Sequence, residues 1–297
     1  RVLFRSRGLA GGYRQRYLGL RDQLIGVGLL RVDGTAARAG GRVVKNVAGY
    51  DLMRLLTGSW GSLALITELS LRTLPLPPHR AGLLVRGDLE PLAELSRALL
   101  RSTLTPERID WWSAPLARRA GLGDAPALLI ALASVEAGCL REQLTAVAGL
   151  TVLPSQPLTA EELESLQQEG RGGARREREP AWLLRLGVNP DGAAPILRAA
   201  GMEGLLVELS AGSGLGMAWS EEPLPAERVE ALRTRCQELG GHLTVLRQPE
   251  GANLACWLDA PSRPLIQAVK RQFDPKDQLA PGRLPGVAAP LQLSATR

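Results

Sequence analysis

Cysteine, histidine and lysine are all scarce in this sequence of 297 residues, and aromatic side chains make up only 4% of it. Cys139, Cys236 and Cys256 stand too far apart for a disulfide framework or an iron–sulfur ligand set. The two histidines, His79 and His242, lack metal-ligand spacing, so a self-contained zinc or iron–sulfur enzyme is excluded. No segment approaches the ~18 consecutive apolar residues of a membrane span, and the longest candidate, 125–135, is strand-sized. The chain opens on Arg1 with no secretory n-region and h-region, and free, scattered cysteines fit a reducing compartment, which makes the cytoplasm the expected location. The apolar content of 45% excludes disorder, and the 33 glycines and 21 prolines follow no period, which excludes a collagen-like chain.

The sequence does carry a net charge of +6, with a pI near 9.8. Lysine contributes only Lys45, Lys270 and Lys276, so the positive charge is almost all arginine. The densest basic run, 171–179, is interrupted by glutamates and has no aromatic interleaving. Phosphate tracking needs a basic stripe and base stacking needs exposed aromatics, so no nucleic-acid partner is expected.

Patterning divides the chain. Residues 1–80 are rich in glycine and aliphatic residues: 42–45 reads as a short strand, 51–56 as a helical turn closed by Gly58, and 62–74 as a long apolar strand. Pro75, Pro77 and Pro78 end that strand, because proline cannot donate to a ladder, and the first boundary falls there. From 81 to 250, strands alternate with amphipathic helices, the pattern of an α+β layer. Helices are expected near 88–101 under an Asp88 N-cap, at 136–148, after the Thr159–Glu162 capping-box spacing, and at 225–239. Strands are expected at 127–133, 182–188, 203–210, 214–219 and 242–247. The remainder, 251–297, holds a helix at 264–273 and a proline-punctuated loop.

Four segments could carry chemistry. In 40–52, glycines at 40, 41 and 49 allow close backbone approach, while Lys45, Asn46, Tyr50 and Asp51 supply polar groups. Such a loop could hold an anionic ligand, or it could be a strand–turn–helix connection whose Tyr and Asp are satisfied locally. The run Thr57-Gly58-Ser59-Trp60-Gly61-Ser62 resembles a nucleophile elbow, but Thr57 stands where that motif needs glycine and no His–Asp partner is evident. A glycine-spaced entry into a strand instead lets a flat ligand lie against bare backbone. Gly212-Ser213-Gly214-Leu215-Gly216 is followed by a strand-like segment and reads as a hairpin turn rather than a dinucleotide loop. His242 is the weak candidate for acid–base chemistry, against a bland reading as a half-buried residue at a strand edge. Trp111, Trp112 and Trp257 are most simply core or interface residues.

Taken together, Gly41 to Leu52, Leu55 to Glu68, Gly240 to Arg247 and Val269 to Arg283 resemble the FAD-binding subunits of bacterial glycolate oxidase (glycolate dehydrogenase), flavoproteins of the vanillyl-alcohol-oxidase type. The stretch Lys45-Asn46-Val47-Ala48-Gly49-Tyr50-Asp51-Leu52 is rather specific to that subunit type. The resemblance implies an α+β fold: the second half of a PCMH-type FAD-binding domain (1–80), a cap domain with a largely antiparallel sheet (81–250), and a tail returning to the flavin domain (251–297). It implies that Gly58, Ser59, Gly61, Ser62 and Ile66 line FAD, with Lys45, Asn46, Gly49, Tyr50 and Asp51 on the neighbouring loop and Pro281 and Gly282 in the tail.

The same resemblance implies an oxidoreductase acting on a 2-hydroxy acid, glycolate to glyoxylate. Electrons would pass through FAD to an iron–sulfur subunit, beside a sister flavin subunit. The complex is expected to be cytoplasmic or peripheral to the inner membrane. The alternative is a non-catalytic assembly or electron-relay subunit with weak or no flavin. Two departures stand out: Ala280 replaces the family's Asn before Pro-Gly, and nothing upstream of Gly41 matches the family's glycine-rich pyrophosphate loop. The expectation is therefore an N-terminally truncated member of the family that holds FAD poorly by itself.

Overall fold

The computed structural model describes residues 11–42, 50–170 and 179–288. The chain divides into two compact units. The first holds the described residues of Leu18–Pro75 and Asn253–Arg297; the second holds Gly11–Tyr17 and Leu76–Ala252.

In the first unit, β1 (Leu24–Leu30), β2 (Ala36–Gly40) and β3 (Leu65–Leu71) form a three-stranded antiparallel sheet in the order β2-β1-β3. Leu24, Val27 and Leu29 of β1 are buried against Met53 and Leu56 of a short helix, Leu52–Leu56, and against Leu63 and Ala64. Val269 and Phe273 reach the same core from the helix Arg263–Phe273, so residues distant in sequence close one cluster. On the outer face Gly28 stands between Arg38 and Glu68 in the ladder. Having no side chain, it leaves those two free to pair across it at 2.5 Å.

The second unit is built on one antiparallel sheet of eight strands in the order β11-β8-β10-β9-β5-β6-β4-β7. The strands are β4 (His79–Arg86), β5 (Arg108–Trp112), β6 (Ala127–Ser134), β7 (Ser155–Leu158), β8 (Trp182–Gly187), β9 (Leu206–Ser210), β10 (Leu215–Ser220) and β11 (His242–Arg247). Trp111, Trp112, Trp182 and Trp219 are all fully buried in it. The expected helices form at Leu89–Arg101, Ala137–Ala148, Ala160–Gly170 and Ala226–Glu238. The capping box is made in both directions: the Thr159 amide donates to Glu162 at 2.8 Å and the Glu162 amide to the Thr159 hydroxyl at 3.2 Å. The glycine-rich run after β9 is a hairpin, joining β9 to its antiparallel partner β10.

Three expectations change. The long strand 62–74 is shorter, Leu65–Leu71, because Ser62 belongs to a turn in which its amide donates to the Ser59 carbonyl. Asp88 occupies the N-cap position of its helix, but its side chain makes no capping bond. Strands β2, β4, β5 and β7 are not among the expected elements; β5 is buried at every position although its faces differ, Arg108 and Asp110 on one and Ile109 and Trp111 on the other, so its charged residues read as surface rather than as sheet core. The strand expected at 42–45 falls almost wholly outside the described residues.

Ser113 joins two elements of the second unit. Its hydroxyl caps the helix Ala114–Arg119 by accepting from the Leu116 amide at 3.4 Å, accepts from the Val207 amide at 3.0 Å, and donates to the Leu205 carbonyl at 2.9 Å. Loss of a cap together with buried hydrogen bonds gives the expected cost: Ser113→Ala should lower the unfolding free energy by about 1–2 kcal/mol in urea denaturation.

Candidate functional site

The turn that leads into β3 begins where the helix Leu52–Leu56 ends. Asp51 caps the start of that helix, accepting from the Arg54 amide at 3.1 Å and pairing with the Arg54 guanidinium at 2.8 Å. Thr57 closes its end by donating from its hydroxyl to the Met53 carbonyl at 2.8 Å. Gly58 then takes φ +84°, Trp60 +58° and Gly61 +75°, three left-handed residues among four, which only the glycines adopt without strain. A Cβ added at Gly58 or Gly61 would meet nothing within 4 Å, so the turn presents bare backbone to open space.

The hydroxyls of this turn face inward. Ser59 donates to the Leu56 carbonyl at 2.8 Å, and Ser62, fully buried, donates to the Ser59 carbonyl at 2.6 Å. They shape the turn and leave the backbone as the part a ligand could meet. Trp60 is held by an edge contact with Trp257, ring centroids 5.5 Å apart. The indole N–H of Trp257 donates to the carbonyls of both Leu284 and Val287 at 2.9 Å, which fastens the tail beside the turn.

One buried ammonium connects these pieces. Lys270 donates from Nζ to the Ser62 carbonyl at 2.8 Å, the Leu279 carbonyl at 2.8 Å and the Asp274 carboxylate at 2.7 Å, with Asp277 at 3.1 Å. Asp274 also accepts from the amides of Gln278 at 3.0 Å and Leu279 at 2.6 Å. Burial by itself would raise the Asp274 carboxyl, but the Lys270 ammonium and the two amides outweigh it and hold the group below the usual carboxylate range. Gly282 lines a cavity of about 370 Å3 together with Lys270, Arg271, Asp277 and Leu284. Ala280 sits at φ +45°, a left-handed conformation that asparagine adopts at lower cost than alanine.

The structure thus brings Gly58, Ser59, Gly61 and Ser62 into one turn, places half-buried Ile66 on β3 just beyond it, and ties the tail with Pro281 and Gly282 to it through Lys270. Tyr50, 90% exposed, and Asp51 lie at the other end of the short helix. Lys45, Asn46 and Gly49 lie outside the described residues. Of the glycines proposed for close approach, Gly40 fits, since a Cβ there would fall 2.2 Å from the Ile25 carbonyl oxygen; Gly41 does not, having nothing within 4 Å. Bare backbone at Gly26, Gly28, Gly40 and Gly41 floors a second cavity of about 180 Å3, below the roughly 300–1,000 Å3 usual for small-molecule sites.

His242 belongs to the other unit, at the exposed start of β11 with its ring against Gly187. Partial desolvation of the ring against Gly187 and the nearby Arg185 pull its pKa down, which favours the neutral imidazole. Sequence reasoning missed Lys270 and Asp274. The available signal was a lysine, in a chain with few of them, four residues before an aspartate in a helical stretch. Among the described residues no helix is long and apolar enough to cross a membrane, and no cluster of His, Cys, Asp or Glu could hold a metal ion.

No family model matches the chain. It is 42% identical over 92 residues, 30% of its length, to glycolate oxidase subunit GlcE of Escherichia coli (strain K12), of which that stretch is 26%. It is 32% identical over 108 residues, 36% of its length, to glycolate oxidase subunit GlcD of Bacillus subtilis (strain 168), covering 23% of that protein. An uncharacterised FAD-linked oxidoreductase of Mycobacterium tuberculosis (strain ATCC 25618 / H37Rv) is 34% identical over 104 residues, 34% of this chain and 23% of its own. Each match therefore spans about a quarter of the relative's length. A solved chitooligosaccharide oxidase shares the fold over 96% of this chain and 70% of its own, with a TM-score of 0.59 at 12% identity. The chain is thus a partial relative of glycolate oxidase subunits and FAD-linked oxidoreductases, with an α+β fold shared by an oxidase.

The buried pair yields a direct test. Removing either partner leaves the other charge buried and uncompensated, so Lys270→Met and Asp274→Asn should each cost about 3–5 kcal/mol in urea unfolding, and the double variant should cost clearly less than the sum. Because the Asp274 carboxyl is held low in the folded state, its contribution is complete above the unfolded value of about 3.9 and fades as pH falls through the lower folded value. The stability gap between the wild type and Asp274→Asn should therefore be full at pH 6 and shrink below pH 4.

Proposed function

We propose that this chain is the FAD-binding subunit, or part of it, of a glycolate oxidase or dehydrogenase complex that oxidises a 2-hydroxy acid, glycolate to glyoxylate. The observation that carries the proposal is the 42% identity to a glycolate oxidase subunit within a chain that shares an oxidase fold over nearly its whole length. In this reading the first unit is the second half of a PCMH-type flavin domain together with its returning tail, and the second unit is the cap.

The described residues fit a flat ring laid along the Gly58–Ser62 turn, because the backbone there is open and no side chain fills the space beyond Gly58 and Gly61. Gly58, Gly61, Ile66 and the Pro281-Gly282 tail would hold the cofactor; Ser59 and Ser62 would keep the turn in shape; and Lys270 would keep turn and tail together. Bound FAD would accept the two electrons of the hydroxy acid and pass them on to an iron–sulfur subunit, with a sister flavin subunit in the same complex. The distinct relatives GlcE and GlcD support an assembly of several subunits.

One observation favours the second reading, a non-catalytic assembly or electron-relay subunit with weak or no flavin. At the turn, the side chains that could move a proton are already engaged: Ser59 and Ser62 donate to backbone carbonyls, and Asp51 holds Arg54. An absorption spectrum of the purified complex separates the readings, since a near-stoichiometric flavin on this subunit supports the first and a colourless subunit that still assembles supports the second. Within the first reading, Gly61→Val and Tyr50→Ala should each lower the flavin-to-protein ratio by about half or more, because a β-branched residue is strained at the left-handed φ of Gly61. Unchanged retention in both variants would overturn the assignment of the turn.

A further inference from the structure

The ladder of the eight-stranded sheet sets Arg185, Met217, Glu208 and Trp112 in one row, with Asp110 and Ser210 paired two residues along on the same face. Gly11–Tyr17 belongs to the same unit as this sheet, although the residues that follow it belong to the other. Its two tyrosines fasten it. Tyr13 lays its ring 5.2 Å from the Arg108 guanidinium and donates to Gln167 at 2.8 Å. Tyr17, its ring 6.2 Å from that of Tyr13, donates to a Glu107 oxygen that also accepts from Arg80 at 2.9 Å. Between and beside them, Gly12 sits so close to Asp110 that a Cβ would overlap the carboxylate, and Gln15 abuts Gly212.

These contacts hold the segment without making it core. It contains no aliphatic residue, its single helical turn, Arg14–Tyr17, buries none of its residues, and Arg14 and Arg16 are exposed. Buried polar atoms at the contact lack a hydrogen-bond partner among the described residues: Gln15 Oε1 on the segment, Gln167 Nε2 and Glu107 Oε2 on the side chains that hold the tyrosines, and the Ser210 hydroxyl opposite Asp110. Atoms that lose water and gain no partner oppose docking. The far end is also strained. Leu18 takes φ +65°, which leucine adopts only at a cost, and glycines flank the segment at Gly11, Gly12 and Gly19. Favourable tyrosine contacts thus stand against orphaned polar atoms and a strained hinge.

We propose that Gly11–Tyr17 is a releasable strap. Docked, it covers the cluster in which Arg108 pairs with Asp110 and Glu208; released, it pivots at Leu18 and opens that cluster to solvent while the sheet stays folded. Local opening of this kind occurs where apolar contacts are few and the contact surface is polar, and the segment meets both conditions. The contacts named above lie within the second unit, so the strap operates whether or not the chain holds a flavin.

Limited digestion of the full chain with trypsin is the test, because Arg14 and Arg16 are cleavage sites on the strap. Mass spectrometry should detect cuts after both at urea concentrations well below the unfolding transition that tryptophan fluorescence reports, since cleavage follows the population of the open form. Each rate is divided by that of a free peptide of the same sequence. On that scale Tyr13→Ala should be cut at least about tenfold faster and Tyr17→Phe several-fold faster. Gln15→Met, which keeps the side-chain length and removes the orphaned oxygen, should be cut several-fold more slowly. Arg141→Gln, an exposed arginine on the helix Ala137–Ala148, should leave the rate unchanged. Cleavage that begins only as the sheet unfolds would make the segment part of the core. Rates unaltered by the tyrosine substitutions, or not lowered by Gln15→Met, would show that these contacts do not set its docking. Any of these results overturns the strap.

Discussion

The first unit depends on the Lys270 ammonium. It sits almost fully buried, and its partners come from the Ser59–Ser62 turn, its own helix and the tail that follows. A charge in such a place is tolerable only because every direction around it is answered by a carbonyl or a carboxylate. The consequence is geometric: the turn cannot shift without breaking a bond to Lys270, and the tail cannot leave without exposing Asp274. The strained φ of Trp60 and Ala280 persists for the same reason, since the surrounding bonds over-determine the backbone at both places. A loop of bare glycine backbone becomes a fixed surface through the buried ion pair bonded to it.

The second unit solves a related problem with a different balance. Its sheet buries tryptophans and aliphatic side chains, yet one face carries arginines and carboxylates. At Arg108 the guanidinium is answered within the chain by the carboxylates of Asp110 and Glu208, and the Tyr13 ring covers it. Half-buried Arg185, in the same row as Glu208, has no ion pair among the described residues.

Much of the architecture was legible from local pattern. The helices at 225–239 and 264–273 and the Thr159–Glu162 capping box appear where their spacing placed them, since each is decided by neighbours three or four residues away. The glycine turn at 58–61 was also legible, because left-handed backbone demands glycine. Strand β5 was not legible, because Arg108 and Asp110 within five residues read as surface rather than as buried sheet, and the donation of the Ser59 and Ser62 hydroxyls to the Leu56 and Ser59 carbonyls is visible only in the structure. Ser62 could not be separated from the strand after it by hydrophobicity, because the turn is fixed by a hydrogen bond and not by polarity.

By itself, then, the sequence determined the local elements, the two-part division of patterning and the motif that resembles flavoprotein subunits. These rest on short-range forces: helix and strand period, capping, and the steric rules of glycine and proline. Only the tertiary structure decided that Lys270 meets Ser62, a partner 208 residues away, and that Arg108 meets Glu208, a hundred residues on. The pairing of a charge depends on strand order and register. Those are settled by how the whole core closes, and a residue's own neighbours along the chain carry no record of it.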